Sequence, residues 1–168
     1  MTQREVVKVI QQKETMVRNI AEKKRSVIVT GLSEDNIRNW QERKTKEEES
    51  IKILLNRISE EEDVFGEVEE YMRLSQYEDG KTRPIKITFK SQVAAESVLK
   101  NAWKLKDSQE TKMIYVRRNM TEEERAKMRE MLTQVRERNE ARSEDDKKKF
   151  FWKVKNEKVW KWHIKERE

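Results

Sequence analysis

The chain has 168 residues, 34% hydrophobic and 43% charged, with 39 Lys and Arg against 33 Asp and Glu and a formal net charge of +6. That balance calls for small cores under large solvated surfaces, and with no cysteine in the chain disulfides and thiolate chemistry are excluded and nothing points to secretion. A single histidine, no apolar run of about 18 residues and an opening MTQREVVKVIQQKE without a signal-peptide core exclude a His-rich metal site and a membrane span, so the sequence reads as a soluble intracellular protein.

Residues Thr2 to Lys24 contain no Gly or Pro and place Val6, Ile10, Val17 and Ile20 at alternating a/d spacing, with Lys13 and Lys24 at positions that should be apolar. Two readings stand: a surface helix packed on the next domain, or a short coiled coil. The β-branched run Arg25 to Leu32 stops at Gly31, as a buried central strand would. Ile51, Leu54, Leu55 and Ile58 then have the spacing of one helix face, with Trp40 extending the stripe upstream. The acidic stretch Ser59 to Asp63 closes that helix, Val68 to Leu74 reads as a second strand, and Asp79-Gly80 carries a turn.

In Pro84 to Lys90 the alternation puts Ile85, Ile87 and Phe89 on one face and Lys86, Thr88 and Lys90 on the other, which predicts a third strand with its cations toward solvent. Ser91 caps a helix whose inner stripe is Val93 or Ala94, Val98, Leu99, Ala102 and Leu105, and Met113 to Arg117 supplies a fourth strand. Strand, helix, strand, strand, helix, strand is the ferredoxin-like order used by RRM domains. Thr121 to Glu124 is a capping box before a helix striped by Met128, Met131, Leu132 and Val135. A polar stretch, Asn139 to Lys149, interrupts, and Phe150 to Val154 and Val159 to Ile164 alternate around Lys155-Asn-Glu-Lys158 as a hairpin. The expected class is α+β, in three parts: an oligomerisation helix over 1–24, an RRM-like domain over 25–118 and a small carboxy-terminal domain of helix and hairpin over 119–168.

Charge is segregated along these parts. The stretch Lys81 to Arg118 carries +7 and Lys147 to Glu168 carries +6, so the rest of the chain is acidic. Two basic segments in an acidic frame are the footprint of a polyanion binder.

The segments Arg25 to Glu34, Arg83 to Phe89, Val98 to Ala102 and Ile114 to Arg125 resemble, in that order, the RNA-binding proteins encoded by the first open reading frame of LINE-type (non-LTR) retrotransposons. The resemblance covers about residues 1 to 165. It implies a homo-oligomer held by the coiled coil, a trimer before a dimer, that coats single-stranded RNA in cytoplasmic ribonucleoprotein particles, with the nucleus a second location. Nucleic-acid chaperone activity, and single-stranded DNA as a second ligand, come with it. By position, it also implies backbone contacts from Arg25, Lys81, Arg83, Arg117, Arg118, Arg125 and Arg129, in a cleft between the RRM-like and carboxy-terminal domains. A cellular gene descended from such an element would look the same.

The residues themselves add Lys86 and Lys90 on the third strand and Lys153, Lys155, Lys158 and Lys161 in the hairpin as phosphate contacts. No aromatic stands on the first strand, so base stacking on the sheet is not expected. Trp152, Trp160 and Trp162 interleave with the hairpin lysines; at least two of them are expected in the core of the small domain, with a stacking platform as the alternative. Lys147-Lys148-Lys149 is a polybasic clip or a solvated linker, and His163 a strand-end histidine. Glu47 to Glu49 and Glu60 to Glu62 are runs of like charge, so no catalytic pair, cofactor, metal or small-molecule substrate is expected. A protein-interaction adaptor is the competing function.

Overall fold

The computed structural model describes residues 1–59 and 63–164; the expected acidic run Glu60 to Glu62 and the last four residues of the expected basic segment, Lys165 to Glu168, lie outside them. The chain divides into two compact units, Met1–Asn119 and Met120–Glu168.

The first unit opens with α1, Gln3–Lys24, capped by a reciprocal box in which the Thr2 side chain accepts from the Glu5 N–H and the Glu5 carboxylate accepts from the Thr2 N–H. None of its residues is buried, and Val6, Ile10 and Val17 are 40%, 50% and 66% exposed. A surface helix packed along its length on the next domain is therefore corrected to a helix that, among the described residues, buries no side chain and meets the domain at its last turn. Glu22 there pairs with Lys86 at 2.5 Å, and the Ser26 hydroxyl donates to the Glu22 carbonyl at 2.7 Å.

Five segments follow: β1 (Ser26–Thr30), α2 (Trp40–Ile58), β2 (Val68–Arg73), β3 (Ile85–Phe89) and α3 (Gln92–Asn101), before β4 (Tyr115–Arg118). Gly31 ends β1 at φ +87°, and a Cβ there would stand 2.2 Å from the Met113 carbonyl oxygen, so only glycine fits. Asn39 caps α2 by accepting from the N–H groups of Gln41 and Glu42, and Ser91 caps α3 by accepting from Ala94. The four strands form one antiparallel sheet in the order β2-β3-β1-β4. One face is the core: Val27, Val29, Ile85, Ile87 and Phe89 meet Ile51, Leu54, Leu55 and Ile58 of α2 and Ala95 and Val98 of α3, all buried. Burying five such large side chains is worth on the order of 10 kcal/mol before entropy is charged against it.

Three details depart from expectation. Trp40 sits at the first turn of α2, 61% exposed, and adds nothing to the buried stripe. The fourth strand starts at Tyr115, because Met113 closes the preceding turn. The outer sheet face is also not open: Ser26, Ile28 and Thr88 are 1%, 7% and 2% exposed, so Lys86 and Thr88 do not look into solvent.

The second unit begins with α4, Glu122–Glu140, whose capping box joins Thr121 and Glu124 in both directions, and whose Met131 is buried. The polar stretch then contains a short helix, α5 (Glu144–Lys149), which sequence reading passed over as loop. Ser143 caps it, acids fill its first turn, and Lys147 to Lys149 form its last turn, each sign matched to the helix dipole. Strands β5 (Phe150–Lys155) and β6 (Lys158–His163) pair antiparallel. Asn139 of α4 supplies the free edge of β5: its Nδ2 donates to the Trp152 carbonyl at 2.9 Å and its Oδ1 accepts from the Trp152 N–H at 2.8 Å.

The hairpin turns on two residues, Asn156 at φ 50° and Glu157 at φ 55°. Both conformations are left-handed, the pair a type I′ turn needs, and Glu is a poor occupant of the second. Glu157→Gly is expected to stabilise the second unit by about 1 kcal/mol; only an exposed 3.9 Å pair to Lys127 is lost with it. A tryptophan-fluorescence melt reads this, and an unchanged or lower midpoint would contradict the turn.

Candidate nucleic-acid interface

The expected RNA contacts of the first unit are mostly engaged inside the protein. Arg25 pairs with Glu69 and donates to the Phe89 carbonyl at 3.0 Å. Lys81 holds Glu78 at 2.8 Å, and Lys86 holds Glu22. Lys90 donates to the Gly66 carbonyl at 2.6 Å. Arg118 grips Glu96 with two nitrogens, at 2.5 and 2.8 Å.

Arg83 is the most committed of them. Its Nε donates to both Glu34 oxygens at 3.1 Å, Nη2 adds a third bond to the same carboxylate, and Nη1 reaches the Ser75 carbonyl at 3.1 Å. The Glu34 side chain is only 7% exposed, so this pair ties the loop before β3 to the segment after β1. Hydrogen bonds from Arg83 hold the Glu34 carboxyl below the usual carboxylate range, as Arg118 does for Glu96 and Lys86 for Glu22. Beside it stands a residue that sequence reading missed. Arg73, 6% exposed, bonds Glu47 at 2.5 Å and the carbonyls of Leu32, Ser33 and Arg83 at 2.9, 2.9 and 2.7 Å. A lone arginine on a predicted strand gave no signal for this, since its partners are 10 to 41 residues away in sequence.

Arg117 is the exception in this unit: exposed, and without an ion pair among the described residues. Strand register separates it from Arg118. Arg117 lies opposite Ile28 on the outer face and Arg118 opposite Val27 on the helix-bearing face, so the two do not act as a pair.

In the second unit the expected cations are not spent on carboxylates. Arg125 and Arg129, one turn apart on α4, are exposed and unpaired among the described residues. So are Lys155, Lys158 and Lys161, while Lys153 is half-buried and carries no acid partner either. Register divides the hairpin into two faces. Phe150, Trp152, Val154, Val159, Lys161 and His163 share one; Phe151, Lys153, Lys155, Lys158, Trp160 and Trp162 share the other. The first face meets α4, whose Arg138 guanidinium lies 4.6 Å from the centre of the Trp152 ring. On the second, Lys153 Nζ stands 3.4 Å from the centre of the Trp162 ring and Lys155 Nζ 5.5 Å from it.

Trp160 and Trp162 are 51% and 43% exposed and Trp152 half-buried, which corrects the expectation that at least two of the three fill the core. Phe151, opposite Trp162 on the same face, is half-buried. Among the described residues no group of His, Cys, Asp and Glu is placed to hold a metal ion, and no helix is long and apolar enough to cross a membrane. No protein-family model matches the chain, and no curated protein matches it.

The buried pairs set a direction for stability. A carboxyl held below its usual range adds stability that is complete above about pH 4.3 and is lost as pH falls through the lowered value. Acid unfolding should therefore begin below about pH 4 and its slope should shrink in Glu34→Gln. Breaking the Arg83 pair with Arg83→Ala should cost about 3 kcal/mol, whereas Lys81→Ala, on an exposed pair, should cost under about 0.5 kcal/mol. Urea melts of the two variants measure this, and equal costs would mean that the loop does not depend on Arg83.

Proposed function

We propose that the chain is a non-enzymatic, sequence-tolerant binder of single-stranded nucleic acid, RNA first and single-stranded DNA second, that works mainly through phosphate contacts. The observation that carries this is the partition of its cations. In the first unit Arg25, Lys81, Arg83, Lys86 and Arg118 are held by Glu69, Glu78, Glu34, Glu22 and Glu96, while among the described residues Arg125 and Arg129 of α4 and Lys153, Lys155, Lys158 and Lys161 of the hairpin have no acid partner. A cation that has no internal partner keeps its full attraction for phosphate and releases counterions on binding.

The first unit serves on this reading as an RRM-like scaffold. Two crossovers, through α2 and α3, each skip one strand of a sheet ordered β2-β3-β1-β4, which is what the ferredoxin-like arrangement requires. Its outer face is closed at Ser26, Ile28 and Thr88, which favours phosphate contacts at its rim, Arg117 among them, over base readout.

The exposed seam of α1 supports self-association through Val6, Ile10, Val17 and Ile20, since a helix with no buried residue gains little stability alone. Together with the resemblance to retrotransposon RNA-binding proteins, this favours a homo-oligomer, a trimer before a dimer, coating RNA in cytoplasmic ribonucleoprotein particles, with strand-exchanging chaperone activity that weak, mobile phosphate contacts permit.

Affinity for a 20-nucleotide RNA between 50 and 200 mM salt tests the reading. Binding should weaken by orders of magnitude, with a log-log slope of about −0.7 for each phosphate neutralised. Arg125→Glu with Arg129→Glu, and Lys155→Glu with Lys158→Glu, should each weaken it at least about tenfold, while Lys81→Glu changes it less than about twofold. Equal losses would mean that bulk charge alone matters, and no binding at low salt would favour the adaptor. Sedimentation of Ile10→Asp with Val17→Asp should show a lower mass than the parent chain; identical masses would remove α1 from assembly.

A further inference from the structure

We infer that the hairpin face built from Phe151, Trp160 and Trp162 is a stacking platform for unpaired nucleobases; this rests on the nucleic-acid reading and names what that surface recognises beyond phosphate.

Large aromatics seldom stay exposed on a small module that has so few apolar groups to bury. Here the face turned to solvent holds two tryptophans more than two-fifths exposed, and a phenylalanine beside them. Lys153 lies across from Trp160, Lys155 and Lys158 pair with each other at the turn end of the same face, and among its described strand residues there is no carboxylate. An apolar protein partner would have to bury three ammonium groups that have no acid partner among the described residues, at high cost. A ligand that offers π faces and negative charge in alternation satisfies both sets at once, and a single nucleic-acid strand is such a ligand.

The spacing fits. The Cα positions of Trp160 and Trp162, two residues apart on one strand, lie about 6.8 Å apart, twice the usual 3.4 Å step between stacked bases. The platform is also held in place before any ligand arrives. The Trp160 Nε1 donates to the Lys155 carbonyl at 3.0 Å, the turn is only two residues, and Asn139 fixes the edge of β5. Lys153, resting on the Trp162 ring, fills the ring face that a base would take; on binding, its ammonium moves to the adjoining phosphate.

Affinity then has two parts. Phosphate contacts serve any nucleic acid and fade with salt, whereas stacking needs unpaired bases and persists in salt. Three probes of equal length read them on the full chain: oligouridine, an abasic strand and an RNA duplex. The parent chain should bind oligouridine about tenfold to a hundredfold more tightly than the abasic strand at 200 mM salt, with its tryptophan fluorescence quenched by the former only. Trp160→Ala with Trp162→Ala should lose that margin while keeping duplex affinity and the salt slope, and Trp160→Phe with Trp162→Phe should retain most of it.

Equal affinity of the parent chain for oligouridine and the abasic strand overturns the platform whether or not any variant folds. If the parent binds all three probes alike, the platform alone falls; if it binds none, the nucleic-acid reading falls with it. A lower sedimentation mass in the alanine variant would assign the face to a second copy of the chain and overturn the proposal as well.

Discussion

Competition among charges is the constraint on which the rest of this molecule depends. With 39 cationic and 33 anionic side chains in 168 residues, cations outnumber the acids that could hold them, and the fold decides which pairs are made. In the first unit the decision is internal. Glu34 and Glu47 take Arg83 and Arg73 into sites where the side chains are mostly buried, and the guanidinium groups finish their hydrogen bonding on the carbonyls of Leu32, Ser33 and Ser75. Such groups are structural, because breaking one pair leaves a buried charge unanswered. Net charge along the sequence is thus a poor guide to the field outside the protein.

That distinction separates what was legible in the sequence from what was not. The alternation of Ile85, Ile87 and Phe89 and the spacing of Ile51, Leu54, Leu55 and Ile58 are local patterns, and each marks its buried face correctly. The Thr121 and Ser91 caps are local too. The ion pairs are not: Glu22 and Lys86 are 64 residues apart, Glu34 and Arg83 49, and only the assembled sheet brings them together. The helix Glu144–Lys149 was missed for a different reason. A six-residue helix buries nothing, so it has no apolar stripe, and only the Ser143 cap ahead of three acids and three lysines announced it.

The tryptophans of the hairpin lie between these cases. Their exposure depends on register, and register depends on the turn, which the sequence does display as Lys155-Asn-Glu-Lys158. A two-residue turn at Asn156 and Glu157 sets Trp152 opposite Lys161 and Trp160 opposite Lys153, so Trp152 falls on one face and the other two on the opposite face. Residue type and module size alone point to tryptophans in the core; the positions across the turn decide otherwise.

The sheet illustrates how a fold closes one of its own faces. Ser26, 1% exposed, donates its hydroxyl to the Glu22 carbonyl at the end of α1 and accepts from Asn119 Nδ2 at 3.0 Å, just past β4. One hydroxyl thus joins the entry of the sheet to its exit. Lys86, paired with Glu22, occupies the ground beside it, and Thr88 is buried in the same patch. On the proposed function, a sheet closed in this way positions rather than reads. On that reading, the division of labour follows: the first unit holds Arg117 and the base of α1 at fixed places, and the second unit carries the free cations and the exposed rings. Only Asn119 to Thr121 separate β4 from α4, a tether short enough to keep the local concentration of the second surface high once the first touches a strand. On the same proposal, two weak, sequence-blind surfaces coupled in this manner gain affinity without gaining specificity, and association through α1 would repeat the gain along one RNA.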